Sequence, residues 1–283
     1  VSLDSYYGMQ TVARTVDVLN AQEYGTLLLE ADPSNTFDIP NPEILGEGTD
    51  WQGAIFQDAP MQSHQVSILG SGEKNTYGVL ASYFKQEGIV GGEKSAFERY
   101  TARYKQTSQV SKRFKIYTNV NFTNYTRDGL PENNEFASPV AFALNIDPLT
   151  NITKEDGTYD FSRIVVGDVK NPVNRIATTY DTWTSNRIIG AFAGEYEVIK
   201  GLKLKTSGSM DLNFAKKRGF QPTYDLDPTG AFVHERVDQN SVTKEFHKWT
   251  NLLWENTLNY QLKLKEDHNI DFLVGTTYRD RKY

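Results

Sequence analysis

The sequence predicts an all-β chain, an antiparallel transmembrane β-barrel segment of about nine strands with long loops on one rim and short turns on the other. Three observations predict it: long stretches of period-two alternation, a composition rich in aromatics but poor in aliphatics, and links whose lengths alternate along the chain.

Alternation comes first. In "RFKIYTNVNFTNYT", Phe114, Ile116, Val120 and Phe122 oppose Lys115, Tyr117, Asn119, Asn121 and Thr123. In "LKLKTSGSMDLNF", Leu202, Leu204, Met210, Leu212 and Phe214 oppose Lys203, Lys205, Ser207, Ser209, Asp211 and Asn213. "KWTNLLWENTLNYQLKL" sets Leu252, Trp254, Leu258, Tyr260 and Leu262 on one side, and "HNIDFLVGTTYRD" does the same with Ile270, Phe272, Val274 and Tyr278. Period two marks a sheet with unlike faces. Several runs reach roughly 12 or more residues, against ~5–6 in ordinary globular strands. A tilted strand crossing hydrocarbon needs about 9–11.

Composition agrees. Apolar residues make up 38% while aromatics reach 12%, with 16 Tyr and 15 Phe, which suits half-exposed faces better than a compact helical core. The mean hydropathy of −0.55 fits a barrel, because lipid-facing and lumen-facing residues average out. No run approaches 18 apolar residues, so no transmembrane helix is predicted. Net charge is −6 and no basic stripe stands out, so no nucleic-acid partner is expected. The absence of cysteine excludes disulfides and thiolate metal sites. The opening "VSLDSYYGMQ" is strand-like and lacks a signal peptide's charged start and apolar middle. That implies a processed precursor or an internal piece of a longer protein.

The links carry the architectural signal. Strands are expected near 1–12, 61–70, 75–87, 96–107, 113–126, 183–198, 201–216, 244–262 and 269–283. Links after even strands are short: "SGEK" (71–74), "SQVSK" (108–112), "KG" (200–201) and "KLKEDH" (263–268). Links after strands one, five and seven are very long, and "GIVGGEKSA" after strand three is of middle length. Short turns on one rim and long loops on the other mark an outer-membrane barrel. No domain boundary is evident, so residues 1–283 read as one unit.

Within the long links, "TVDVLNAQEYGTLLLEA" has helical spacing, with Asn20 placed to cap and Glu23 three residues on. "SPVAFALNI" carries a proline suited to a helix start. In "TDWQGAIFQDAP", Trp51, Ile55 and Phe56 have an i, i+4, i+5 spacing that lets them face one way, either to anchor the loop against its own helix or the barrel rim or to contact a ligand.

Catalytic chemistry is not apparent. His64, His234, His247 and His268 stand apart, the first and third read as strand residues and the others as loop or turn residues. "GSGEKN" lacks phosphate-loop spacing. "DLDPTG" (225–230) lacks the downstream Glu of a calcium loop and reads as a solvated turn. No nucleophile elbow occurs. No catalytic residue, metal or cofactor is predicted. Aromatics are the surplus. Trp183, Tyr196, Trp249 and Tyr260 are candidates for interfacial girdles. Tyr159, Tyr180 and Tyr224 are loop candidates for substrate contact.

The N-terminal third resembles the SusC/RagA-type TonB-dependent transporters of Bacteroidetes outer membranes. The residues that carry the likeness are Thr49, Asp50, Trp51, Gln52, Ala59, Pro60, Gln62, His64, Ser67, Gly70, Tyr77, Tyr83, Gln86, Glu87, Gly88, Phe97 and Arg99, with "NPVNR" (171–175) in a later loop. The resemblance implies a 22-stranded barrel, of which this chain holds the first nine or so strands without plug, TonB box or later strands. It places strand one rising from the periplasm, so the long links lie outside the cell. It further implies a non-enzymatic importer, a SusD-like surface lipoprotein as lid, and TonB–ExbB–ExbD acting through the absent N-terminal region. The cargo would be an oligosaccharide or, with lesser preference, an oligopeptide. Two other readings stay open: a passive outer-membrane porin or structural barrel, and a soluble secreted β-sheet glycan-binding domain.

Overall fold

The structure, a computed structural model, describes residues 1–35, 37–132, 134, 136–165, 169–232, 235–264 and 268–283. Nine strands form one antiparallel sheet: β1 (Ser2–Gln10), β2 (Ala59–Ser71), β3 (Asn75–Gly88), β4 (Gly92–Ser111), β5 (Phe114–Asp128), β6 (Tyr180–Ile199), β7 (Leu202–Gln221), β10 (Ser241–Leu264) and β11 (His268–Lys282). The two-residue strands β8 (Tyr224–Asp225) and β9 (Arg236–Val237) pair with each other in the link between β7 and β10. The order in the large sheet is that of the chain, so every strand pairs with its sequence neighbours in an uninterrupted meander. Among the described residues no helix is long and apolar enough to cross a membrane.

Register sorts the side chains. Cross-strand partners share a face, and successive residues alternate between faces. Following Phe122, its partners Ala102 and Ile188, then Leu212 and Thr250, traces one face across β4–β10. That face also carries Val66, Val79, Val120, Phe192, Leu204, Leu258 and Val274. The opposite face carries Gln65, Ser82, Thr101, Thr123, Arg187, Asn213 and Trp249. The four alternating stretches singled out in the sequence therefore present their apolar residues to one common side.

The link after strand three differs from expectation. β3 ends at Gly88 and β4 begins at Gly92, so residues 89–91 make a tight turn. The residues read as the rest of a middle-length loop instead extend β4, which runs to 20 residues. Gly91 makes the reversal possible with a φ of 70°, a left-handed conformation that side chains with a Cβ resist. On that rim three links are long (11–58, 129–179 and 222–240) and one is short. His268 opens β11 as its first residue, where a turn was expected. His234 and residues 265–267 of the last short link lie outside the described residues.

Buried apolar residues concentrate at the long-link rim. α1 (Ala21–Ala31), α2 (Trp51–Ile55), α3 (Pro139–Asn145) and α4 (Pro172–Thr178) all lie in long links. Asn20 and Glu23 form the reciprocal capping box expected at the start of α1, although residues 15–20 remain outside the helix. Pro139 and Pro172 each occupy the first turn of their helix, where a missing N–H costs nothing.

Candidate functional site

The first part of the site is the loop assembly over the sheet's rim, and the segment "TDWQ" builds it one residue at a time. Thr49 donates its N–H to Pro148 O at 2.9 Å and its hydroxyl to Thr150 O at 2.7 Å. Asp50 caps α2 by accepting the Gly53 N–H at 2.8 Å. Trp51 is 3% exposed, and its Nε1 donates to Asp147 O at 2.9 Å. The Gln52 amide clips the backbone of Val16 from both sides, accepting its N–H at 2.9 Å and donating to its carbonyl at 2.7 Å. Gly48, at φ 74°, allows the approach: a Cβ there would lie 2.5 Å from Pro148 O.

Trp51 and Ile55 pack with Ala143 and Ile146 from the link between β5 and β6, and Phe56, Val140, Val173 and Ile176 close around them. The three anchoring candidates thus meet helices from a distant link, where the sequence suggested the first loop's own helix or the barrel rim. Asp147 is fully buried. It accepts hydrogen bonds from Leu149 N, Thr150 N, the Thr150 hydroxyl and the Ser162 hydroxyl, so its lone pairs are used. Burial, and then the negative charge of Asp147, push the Tyr24 hydroxyl above its ordinary ionisation range. Asn171 of "NPVNR" is also fully buried. It caps α4 through Val173 N and Asn174 N and donates to Ile152 O and Asp160 O, both at 2.9 Å.

The second part is the polar face of the sheet. A row of aromatic rings crosses it near the long-link rim. Phe84 and Phe97 lie 6.1 Å apart, and Phe97 and Tyr125 5.6 Å apart. Trp183 Nε1 donates to the Tyr125 hydroxyl at 3.1 Å. Trp183 then stacks on His247 at 5.1 Å and His247 on Trp249 at 5.4 Å. β7 lies between β6 and β10, and its residue in register with His247 is Ala215, small enough to let rings from either side meet. His247 Nε2 sits 3.0 Å from Glu245 Oε2.

Charge on this face divides sharply. β6 and β7 carry ions that pair on the face itself: Asp181 with Lys217 at 3.5 Å, Arg187 with Asp211 at 2.6 Å and Glu195 with Lys203 at 3.8 Å. On β4 and β5 the same face presents Arg99, Arg103, Lys105, Lys115 and Arg127; Glu98 alternates to the other face, Glu93 near the start of β4 shares their odd numbering, and Glu195 of β6 stands in register with Lys115. Arg103 donates to Asn121 at 3.4 Å and Arg99 lies 5.6 Å from the centre of the Phe84 ring. Among the described residues none of the five pairs with a carboxylate.

The predicted aromatics distribute as follows. Tyr196 and Tyr260 lie on the apolar face toward the short-turn rim, paired with Leu204 and Leu202 respectively. Trp183 and Trp249 lie on the polar face, in register with Lys217 and Asn213, and this corrects their assignment as girdle residues. The reason is parity: an odd-numbered residue in β10 points away from Leu252 and Leu258. Trp254 is the outward tryptophan of β10, 57% exposed, and the same alternation count identifies it. Tyr180 is the first residue of β6, not a loop residue; it pairs with Phe220, and the Lys94 ammonium sits 3.3 Å over its ring. Tyr159 is half-buried in a bridge with Thr153. Tyr224 is half-buried in β8; burial and then the charge of Glu235 push its hydroxyl above the ordinary ionisation range, opposed by Arg175. Among the described residues no ring contact joins these three tyrosines. No group of residues able to hold a metal occurs among the described residues.

No known family profile matches the chain. Two curated proteins of Formosa agariphila are similar over 99% of it: TonB-dependent receptor P3 at 28% identity and TonB-dependent receptor P26 at 27%. The chain spans only 27% of the length of each. Among solved structures, a RagAB peptide transporter matches 99% of the chain with a TM-score of 0.78 at 17% identity, covering 34% of the matched chain. The RagAB peptide importer in its closed-closed state matches with a TM-score of 0.75, again at 17% identity and 34% of that chain. These likenesses support reading the chain as a segment of a SusC/RagA-like TonB-dependent transporter.

Proposed function

We propose that the protein to which this segment belongs imports a bulky nutrient across the bacterial outer membrane, driven by TonB. The observation that carries the reading is the wall itself. An uninterrupted antiparallel meander with one apolar and one polar face is what a membrane-spanning barrel requires, since lipid cannot satisfy an open backbone group. A 20-residue strand such as β6 extends roughly 66 Å at about 3.3 Å per residue. Tilted by about 45°, it rises roughly 45 Å, more than the ~30 Å hydrocarbon layer. The apolar face meets lipid, Tyr196 and Tyr260 belong to its lower interfacial girdle, and the polar face lines the lumen.

The long-link rim faces outward from the cell, and a SusD-like lipoprotein closes over it. TonB–ExbB–ExbD acts through parts of the protein outside this chain. Trp51, Ile55 and Phe56 hold the loops in place. Tyr159 and Tyr224 sit in the loops as candidate cargo contacts, whereas Tyr180 shares the apolar face with Phe220 and Ile188 and is not among them. An oligosaccharide is the favoured cargo over an oligopeptide.

The test is uptake in cells. Deleting the gene, or collapsing the inner-membrane proton gradient, is expected to abolish accumulation of the nutrient while leaving small-solute permeation unchanged. Accumulation that persists without the gradient would favour a passive pore instead. Recovery of the full-length protein in the soluble fraction without detergent would remove the barrel reading altogether.

A further inference from the structure

We propose that the polar face of β4 and β5, with the ring stack beside it, is a binding wall for an anionic oligosaccharide, one carrying carboxylate or sulfate groups. The inference rests on the transport reading above and gives its lumen a substrate chemistry.

Charge is the first argument. The chain as a whole is acidic, at −6, yet Arg99, Arg103, Lys105 and Arg127 share one face of β4 and β5, and among the described residues none of the four pairs with a carboxylate. The neighbouring strands show that this wall can neutralise itself, because Arg187, Lys203 and Lys217 each have an acid in reach. Clustered cations without partners repel one another, and low-dielectric walls concentrate their field on an anion that enters.

Ring chemistry is the second. Trp183, His247 and Trp249 form a continuous stack, and its planes diverge by only 12° between His247 and Trp249. Its rings are half-exposed, so faces remain open on the polar side. Such surfaces suit pyranose rings, whose C–H faces are apolar and whose edges carry hydroxyls. Asn213 lies in register with Trp249, and Arg127 with Trp183, so polar groups stand beside the rings.

Backbone chemistry favours sugar over peptide. Each strand from β2 to β10 of the large sheet has a neighbour on both sides, so an extended peptide finds no free strand edge there to pair with. A ligand must be held by side chains alone, through stacking and ion pairing.

The experiment is calorimetric titration of the full-length protein in detergent with an oligogalacturonate, a sulfated oligosaccharide, a neutral oligoglucan of equal length and an oligoglutamate peptide. Binding of at least one anionic sugar is expected, weakened by salt. It should fall about tenfold or more in an Arg99→Gln/Arg127→Gln double variant and in Trp249→Ala. Both arginines are exposed, so the double variant should keep its fold, checked by comparing its gel mobility before and after heating with that of the parent protein. The proposal is overturned if neither anionic sugar binds, if the neutral sugar binds as well as they do, if only the peptide binds, or if the variants bind unchanged. Proton-gradient-dependent uptake in cells is read in parallel. Uptake intact with no anionic binding removes this inference alone, whereas anionic binding without gradient-dependent uptake removes the transport reading.

Discussion

Along the sheet, a side chain's surroundings follow from whether its number is odd or even; in the loop assembly they follow from a partner far away in the chain. Leu252 and Leu253 are neighbours, yet one pairs with Met210 on the apolar face and the other with Ser209 on the polar face. Trp51, by contrast, is buried because Asp147, 96 residues on, accepts its indole N–H and because α3 covers it. The sheet has ladder hydrogen bonds and few buried apolar residues, whereas the loops have a small true core. Under the proposed function the wall gains most of its apolar burial from lipid, whereas the loop assembly gains it from itself. The two regions should respond differently to the same kind of damage.

The largest effect should come from Trp51→Ala. Removing a buried indole and orphaning the Asp147 carbonyl should cost the loop assembly about 3–5 kcal/mol. Hydrogen exchange should rise in residues 139–145 and 172–178, while gel mobility still reports a folded barrel. Collapse of the barrel as well would show that the two regions are one cooperative unit. Leu252→Lys and Leu253→Lys sharpen the other side of the comparison. The first places a charge in lipid and should cost roughly 2–4 kcal/mol near the bilayer midplane. The second faces the lumen opposite Arg279 and should cost under about 1 kcal/mol by denaturant titration in lipid. Equal costs would break the assignment of faces.

A smaller loss is expected from Gly48→Ala, about 1–3 kcal/mol, from its left-handed backbone and the approach of Pro148 O. Limited proteolysis near residues 46–50 should detect it without change in the wall. The smallest effect concerns pH. Hydrogen bonds from Thr229 and then Phe232 hold the Asp227 carboxyl below its ordinary range. A depressed folded pKa contributes stability above the unfolded value of about 3.9 and loses it as pH falls through the folded value. Acidification through that window should loosen the 225–232 turn, seen as faster amide exchange at Phe232. Asp227→Asn should remove the pH dependence.

Much of the wall was legible because period two is local: each strand's alternation is written in consecutive residues, and Phe114 through Phe122 or Leu202 through Phe214 need no distant partner to be read. The same count places Trp249 with Asn251 on the polar side, against the girdle role that the preference of tryptophan for interfaces suggests. β4's early start was illegible, since "GGEKSA" has turn composition and becomes strand only because Gly91 permits a tight reversal. In the loop assembly, the spacing of Trp51, Ile55 and Phe56 signalled a shared direction without naming what they would meet. Gln52 gave no sign of clipping Val16.

By itself, then, the sequence determined the strand rhythm, the two faces and the cap of α1, because these depend on residues a few positions apart. Tertiary structure alone decided the loop core, the ring row and the cation cluster. Arg99 and Arg127 stand far apart in the sequence among residues of mixed charge, and no basic stripe marks them. Antiparallel register folds β4 back on β5 and sets every second residue of each on one surface, so charges dispersed along the chain become neighbours across it.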